Sequence, residues 1–151
     1  MEKKPAQIFD MDGTLVNVDA IRHHVIGKAK NFDEFHARAI DAPSNFEVAT
    51  MLYRAKEIHG HDIIIVTARK EQWRAQTSFW LAMHQIPSDA LFMRGNQDGR
   101  PDYEVKKGIL HRIRQMWDVV HATDDNPAVI ALWESEGIPT TRVGNWNGVS
   151  E

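Results

Sequence analysis

The chain has 151 residues, 42% of them hydrophobic and 26% charged, which suits one globular domain with a single core. A formal charge of -3 excludes a broad basic surface for non-specific adhesion to nucleic acid or anionic membrane, and the absence of cysteine excludes disulfides and thiolate metal sites. The charged start, Met1-Glu2-Lys3-Lys4-Pro5, is unlike a secretory signal, and no apolar run approaches the roughly 20 residues that span a bilayer, so a cytoplasmic protein is expected.

In chain order, an apolar strand from Ala6 to Phe9 runs into Asp10-Met11-Asp12-Gly13-Thr14-Leu15. The stretch from Leu15 to Pro43 is an excursion too short for a second α/β domain. It reads as a small cap or lid at about 16–43, with one short helix at Phe32 to Ala39 capped by Asn31 and Glu34. The spacing then predicts a helix from Asn45 to His59, with Val48, Met51, Leu52, Ala55 and Ile58 on one face. Ser44 with Glu47 would form its capping box and Gly60 its stop.

A strand at Asp62 to Val66 precedes a second helix, Glu71 to His84, which stacks Trp73, Thr77, Trp80 and His84 along one side. A strand at Ala90 to Met93 and a third helix from Asp102 to Met116 follow, then a strand at Val119 to Ala122. The last helix opens with Asn126 as cap and Pro127 in the first helical position, and ends at Gly137 before a strand at Thr140 to Val143. Parallel strands need long crossovers, so this alternation implies a three-layer α/β/α domain with a mostly parallel central sheet. Trp73, Trp80, Trp117 and Trp133 fall on expected helices and are assigned to packing, whereas Trp146 stands in a Gly-Asn-rich tail.

The chemistry concentrates in carboxylates at strand ends. Asp10 and Asp12 follow an apolar strand, lie two residues apart and therefore project to one side, while Gly13 permits the turn away from them. A second pair, Asp124-Asp125, follows the strand at Val119 to Ala122, at the same edge of a parallel sheet. Neighbouring carboxylates repel unless a cation relieves them, and an all-oxygen set suits Mg²⁺ better than zinc. His59 and His61, and the adjacent His23 and His24, lack carboxylate or cysteine partners and are assigned no metal.

With these residues in order, the chain resembles the haloacid dehalogenase (HAD) superfamily of phosphatases and its Rossmann-like fold. The DxDGT motif is Asp10-Met11-Asp12-Gly13-Thr14, the strand-ending threonine is Thr67 in Val66-Thr67-Ala68-Arg69, and the late acidic pair is Asp124-Asp125. The resemblance implies Asp10 as nucleophile and Asp12 as general acid and then base. It also implies Mg²⁺ held by the Asp10 side chain, the Asp12 carbonyl, Asp124 and Asp125, and phosphate held by Thr67, Ala68, Arg69 and a lysine. For that lysine, a helix turning about 100° per residue puts Val105, Ile109, Ile113 and Met116 on the buried face, Lys106 at its edge and Lys107 nearly opposite. Lys106 is the better candidate.

A narrower similarity is the spacing RxxxDxRxDxxxK from Arg94 through Asp98, Arg100 and Asp102 to Lys106, together with Arg69 two residues beyond Thr67. This resembles the 3'-phosphatase half of phage-type polynucleotide kinase-phosphatases. It implies Arg94, Arg100 and Arg22 as substrate contacts, a phosphorylated nucleic-acid 3' end as substrate, and a separate kinase or ligase as partner. The stretch from Arg94 to Arg114 carries six Lys/Arg against three Asp/Glu, a local basic rim suited to such an end. No phosphate-cradling GxxxxGK[ST] loop occurs in the sequence. A nucleoside monophosphate phosphatase is the alternative within the class, and a non-catalytic module that binds phosphorylated ends is the alternative outside it.

Overall fold

A computed structural model describes residues 2–18 and 42–144. The elements are β1 (Lys4–Phe9), α1 (Phe46–Tyr53), β2 (Asp62–Lys70), α2 (Arg74–Met83), β3 (Ala90–Arg94), α3 (Asp102–Ile113), β4 (Trp117–Asp124), α4 (Pro127–Ser135) and β5 (Thr140–Arg142). All four strand pairings are parallel, in the order β3-β2-β1-β4-β5. The sheet grows outward from β1 to β2 and β3, then crosses to its other side for β4 and β5. That reversal opens a crevice beyond the carboxyl ends of β1 and β4, where ligands bind in open α/β sheets.

Alternation along the strands builds two cores. Phe9, Ile63 and Ile65 face Val48 and Leu52 of α1 and Trp80 and Leu81 of α2. Ile8, Ile64 and Val66 face Val105 and Ile109 of α3 and Val129 and Trp133 of α4. Because both faces of β2 are covered, it is apolar at every position from Ile63 to Val66, as buried parallel strands are. The three-layer α/β/α architecture expected from the sequence is the observed one.

Several local expectations change. The cap of α1 is Asn45, whose side chain accepts from the Glu47 amide at 3.2 Å, while Ser44 bridges Val16 instead of capping. The α1 helix rewinds into a wider turn over Arg54–Ile58 before Gly60, at φ +69, turns the chain. The second helix begins as a tight turn, Glu71–Trp73. The third ends at Ile113, leaving Met116 exposed, and Trp117 opens β4 instead of lying on a helix. Strand β2 runs past Val66 to Lys70, carrying Thr67, Ala68 and Arg69 within it.

Residues 19–41, which hold Arg22, His23, His24 and the helix expected at 32–39, lie outside the described residues, as does Trp146. The two chain segments flanking that stretch lie side by side: the Asn17 amide donates to the Pro43 carbonyl and the Asn45 amide to the Leu15 carbonyl. The Trp80 indole N–H, fully buried, donates to the Ala42 carbonyl at 2.8 Å. The indole thus ties the returning chain to α2.

Candidate active site at the sheet switch point

Asp10 leaves β1 at the crevice, its amide closing the last bond to β4 at the Thr123 carbonyl. Asp124 ends β4 beside it. Lys106, one turn into α3, reaches between them and donates to Asp10 Oδ1 at 2.9 Å and to Asp124 Oδ2 at 2.8 Å. All three are buried. The Asp10 carboxyl is pushed up to about 7 by burial and by the Asp124 charge, against the opposing pull of Lys106. Burial alone would lower the pKa of the Lys106 ammonium, but Asp10 and Asp124 hold it above its usual value. Lys107, next in sequence, is exposed.

The remaining Asp124 oxygen accepts from the amides of Asp125 and Asn126, at 2.8 and 3.0 Å, which starts the turn into α4. The Thr14 hydroxyl donates to Asp10 Oδ2 at 3.0 Å. Gly13 sits at φ +82, and a Cβ there would lie 2.1 Å from Asp125 Oδ2, so only glycine lets this carboxylate into the crevice. One oxygen each from Asp10, Asp124 and Asp125 lies within 4.8 Å of the others. Three buried carboxylates with one oxygen each drawn this close, and oxygen as the only donor atom among them, make a set that fits a hard divalent cation.

Asp12 is held differently. Both of its carboxylate oxygens are gripped by Arg69, Nε to Oδ2 at 2.7 Å and Nη2 to Oδ1 at 2.5 Å, with both side chains nearly inaccessible. The third nitrogen of Arg69, Nη1, donates to the Thr77 hydroxyl on α2 at 3.0 Å. Thr67 is fully buried and its hydroxyl accepts from the Arg69 amide at 3.1 Å.

Arg94 is also buried and staples three segments together. It donates to the Ala68 carbonyl on β2, to the carbonyls of Asp98 and Arg100 in the following loop, and to Asp102 Oδ1 at the start of α3, at 2.6 to 2.9 Å. Arg100 is exposed and forks onto Asp98. Among the residues that the sequence nominated, Asp10, Lys106, Asp124 and Asp125 converge, Asp12 and Arg69 form a pair of their own, Arg94 joins the β2 end to α3, and Arg100 stands on the loop outside.

Thr14, Asp102 and Thr77 had no assigned role. Thr14 and Asp102 stood inside the recognised motifs, and their positions were the available signal. Thr77 showed only as a hydroxyl on an otherwise aromatic helical side.

A parallel three-layer sheet with this lysine-bridged acidic cluster at its switch point defines a HAD-type phosphatase. The family model described as the polynucleotide kinase PNKP phosphatase domain matches residues 4–147, and the chain belongs to that family. It is 26% identical over 137 residues to a putative bifunctional polynucleotide kinase/RNA ligase of Autographa californica nuclear polyhedrosis virus, covering 89% of this chain and 18% of that protein. Two solved structures of a Pnkp1/Rnl/Hen1 complex, one titled an RNA repair complex, match at 29% and 28% identity with TM-scores of 0.79 and 0.82. They cover 95% and 96% of this chain and 48% and 44% of theirs, so the chain spans about half the length of these relatives or less. The class C acid phosphatase of Bacillus anthracis shares the fold at 19% identity and TM-score 0.69, over 98% of this chain and 71% of its own. No helix among the described residues is long and apolar enough to cross a membrane.

Proposed function

We propose that this phosphatase hydrolyses phosphomonoesters through a phosphorylated Asp10, with Mg²⁺ as cofactor, and that its substrate is the 3'-phosphate end of a nucleic acid. The observation that carries the reading is Asp10 at the switch point, bonded to the Lys106 ammonium and the Thr14 hydroxyl beside Asp124 and Asp125, with Asp12 two residues further on.

In the first step an Asp10 oxygen bonds to phosphorus as the bond from phosphorus to the ester oxygen breaks. The ester oxygen keeps the bonding pair and takes the proton that Asp12 has taken up from solvent on the oxygen it frees from the Arg69 fork. In the second step Asp12, now a carboxylate, takes a proton from water as the water oxygen bonds to phosphorus, and Asp10 leaves as a carboxylate with phosphate released. Lys106 orients Asp10 and offsets charge on the phosphoryl oxygens, assisted by Thr67 and by the backbone amides of Met11 and Asp12. Asp10, Asp124 and Asp125 would hold Mg²⁺ together with the Asp12 carbonyl. When bound, the ion supplies further charge neutralisation for the phosphate.

The family and the local charge support the substrate assignment. Burial removes Arg94, Lys106 and Asp102 from the basic stretch, leaving Arg100, Lys107 and Arg112 exposed on the loop and on α3, against the exposed Glu104 and the Asp98 that Arg100 holds. A few cations of this kind hold a phosphorylated end with salt-dependent affinity without making the whole protein basic. A separate kinase or ligase as partner belongs to this proposal, since one relative carries both names.

The test compares phosphate release, with Mg²⁺ present, from a 3'-phosphorylated oligonucleotide, a 5'-phosphorylated one, and free nucleoside 3'- and 5'-monophosphates. The 3'-phosphorylated oligonucleotide is expected to turn over fastest. Preference for free nucleotides makes the protein a mononucleotide phosphatase, and release from none by folded protein makes it an end-binding module. Asp10→Asn is expected to abolish turnover, by roughly 10⁴-fold or more, while the protein stays folded by circular dichroism.

A further inference from the structure

We infer that Thr77, on the buried side of α2, is a positioning residue for proton transfer: its hydroxyl fixes the plane of Arg69, and Arg69 aims Asp12 at the leaving oxygen. The inference rests on the reading of Asp12 as proton donor.

The buried side of α2 otherwise packs with Trp80 and Leu81, both apolar, and Thr77 is fully buried among them. Valine has nearly the same shape and a similar helix propensity, and it would bury no hydroxyl. A hydroxyl taken out of water costs free energy unless it is hydrogen-bonded, and Thr77 meets that cost by accepting from Arg69 Nη1 at 3.0 Å. A guanidinium is flat and its donors are fixed relative to one another. Holding Nη1 therefore sets the tilt at which Nε and Nη2 present themselves to Asp12, at 2.7 and 2.5 Å.

That anchor matters most during the reaction. The fork holds Asp12 as a carboxylate, accepting on both oxygens; to serve as proton donor it must free one oxygen from the fork and take up a proton there as substrate enters, and Arg69 then loses part of its grip. The Thr77 hydroxyl, on a different element from both, keeps the guanidinium in place, so that Asp12 returns to one position for its later role with water. Small misplacements of a proton donor have large rate effects, because the transfer requires hydrogen-bond distance.

The proposal separates substrates by their leaving groups. An alkyl ester, such as a 3'-phosphorylated oligonucleotide, needs a proton on its departing oxygen, whereas p-nitrophenyl phosphate releases a stable phenolate without one. The quantity to measure is the ratio of the first-turnover release rates for these two substrates at saturation. Thr77→Val is expected to lower that ratio by roughly tenfold, and Thr77→Ser, which keeps the hydroxyl, to restore it. A general loosening of α2 would slow both substrates together and leave the ratio alone.

An unchanged ratio in folded Thr77→Val, or equal damage in Thr77→Ser, overturns the inference. If valine does not fold, Thr77→Ala removes the same hydroxyl together with the γ-methyl, and the ratio, which a cavity that slows both substrates does not move, is read in the same way. Asp12→Asn serves as the reference: if it too leaves the ratio unchanged, the proton-donor reading itself fails. A collapsed ratio in Asp12→Asn with an unchanged one in the Thr77 variants removes only the role of Thr77.

Discussion

Two arginines in this protein grip an aspartate in the same two-pronged way, and their settings could hardly differ more. Arg69 holds Asp12 with side chains 2% and 3% exposed, between two layers of the fold. Arg100 holds Asp98 with side chains 56% and 21% exposed, on the loop after β3. The Arg100 hydrogen bonds hold the Asp98 carboxyl well below the usual carboxylate range, but water solvates both charges whether or not they meet. In the buried pair each charge has lost its water, so neither tolerates the loss of the other. Identical geometry therefore gives a surface contact in one place and a structural and chemical commitment in the other.

The largest effect that tests this contrast lies beside the buried pair, at Lys106, where one ammonium separates two carboxylates. Lys106→Met leaves both buried without a cation and is expected to cost about 3–5 kcal/mol in urea unfolding, with part of the loss recovered on adding Mg²⁺. No recovery would mean that the cluster does not take the ion.

Next comes Arg69→Lys, which keeps the charge but gives up the fork and the bond to Thr77. A loss of about 2 kcal/mol is expected by the same measurement. Arg100→Ala should leave the unfolding midpoint unchanged, and a loss comparable with that of Arg69→Lys would break the comparison. If Arg100 meets the substrate, its removal raises KM for an oligonucleotide and not for p-nitrophenyl phosphate.

The smallest expected effect concerns His121, half-buried on β4 and paired with the Thr141 hydroxyl at 2.8 Å. Burial lowers its pKa, so in the fold it stays neutral where the unfolded chain takes up a proton. The stability it contributes is complete above the ordinary histidine pKa of about 6.5 and is lost as pH falls from there through its lowered folded value. Thermal midpoints between pH 7.5 and 5.5 should therefore fall slightly less in His121→Asn than in the parent.

Much of this was legible before the fold. The DxDGT run, the acidic pair at Asp124-Asp125 and the choice of Lys106 over Lys107 could be read from strand ends and helical phase, because those periodicities are local. Helix ends were read less well. Asn45 won the cap over Ser44 because Ser44 is drawn into a bridge with Val16, a contact set by the return of the chain. The third helix stopped at Ile113, and Trp117 went to β4, where its indole donates to Asp62 across the sheet.

The sequence by itself determined which side chains gather at the candidate site, because Asp10, Asp12 and the pair Asp124-Asp125 each stand at the end of an apolar strand, and strand ends of a parallel sheet share one edge. Only the tertiary structure decided how they are partnered. Lys106 meets Asp10 from 96 residues away and Arg69 meets Asp12 from 57, while Arg94 turns inward to join β2, its own loop and α3. Local pattern sets the direction in which a side chain points. Which charge it finds there depends on layers packed from distant parts of the chain, and burial then fixes how much that meeting matters.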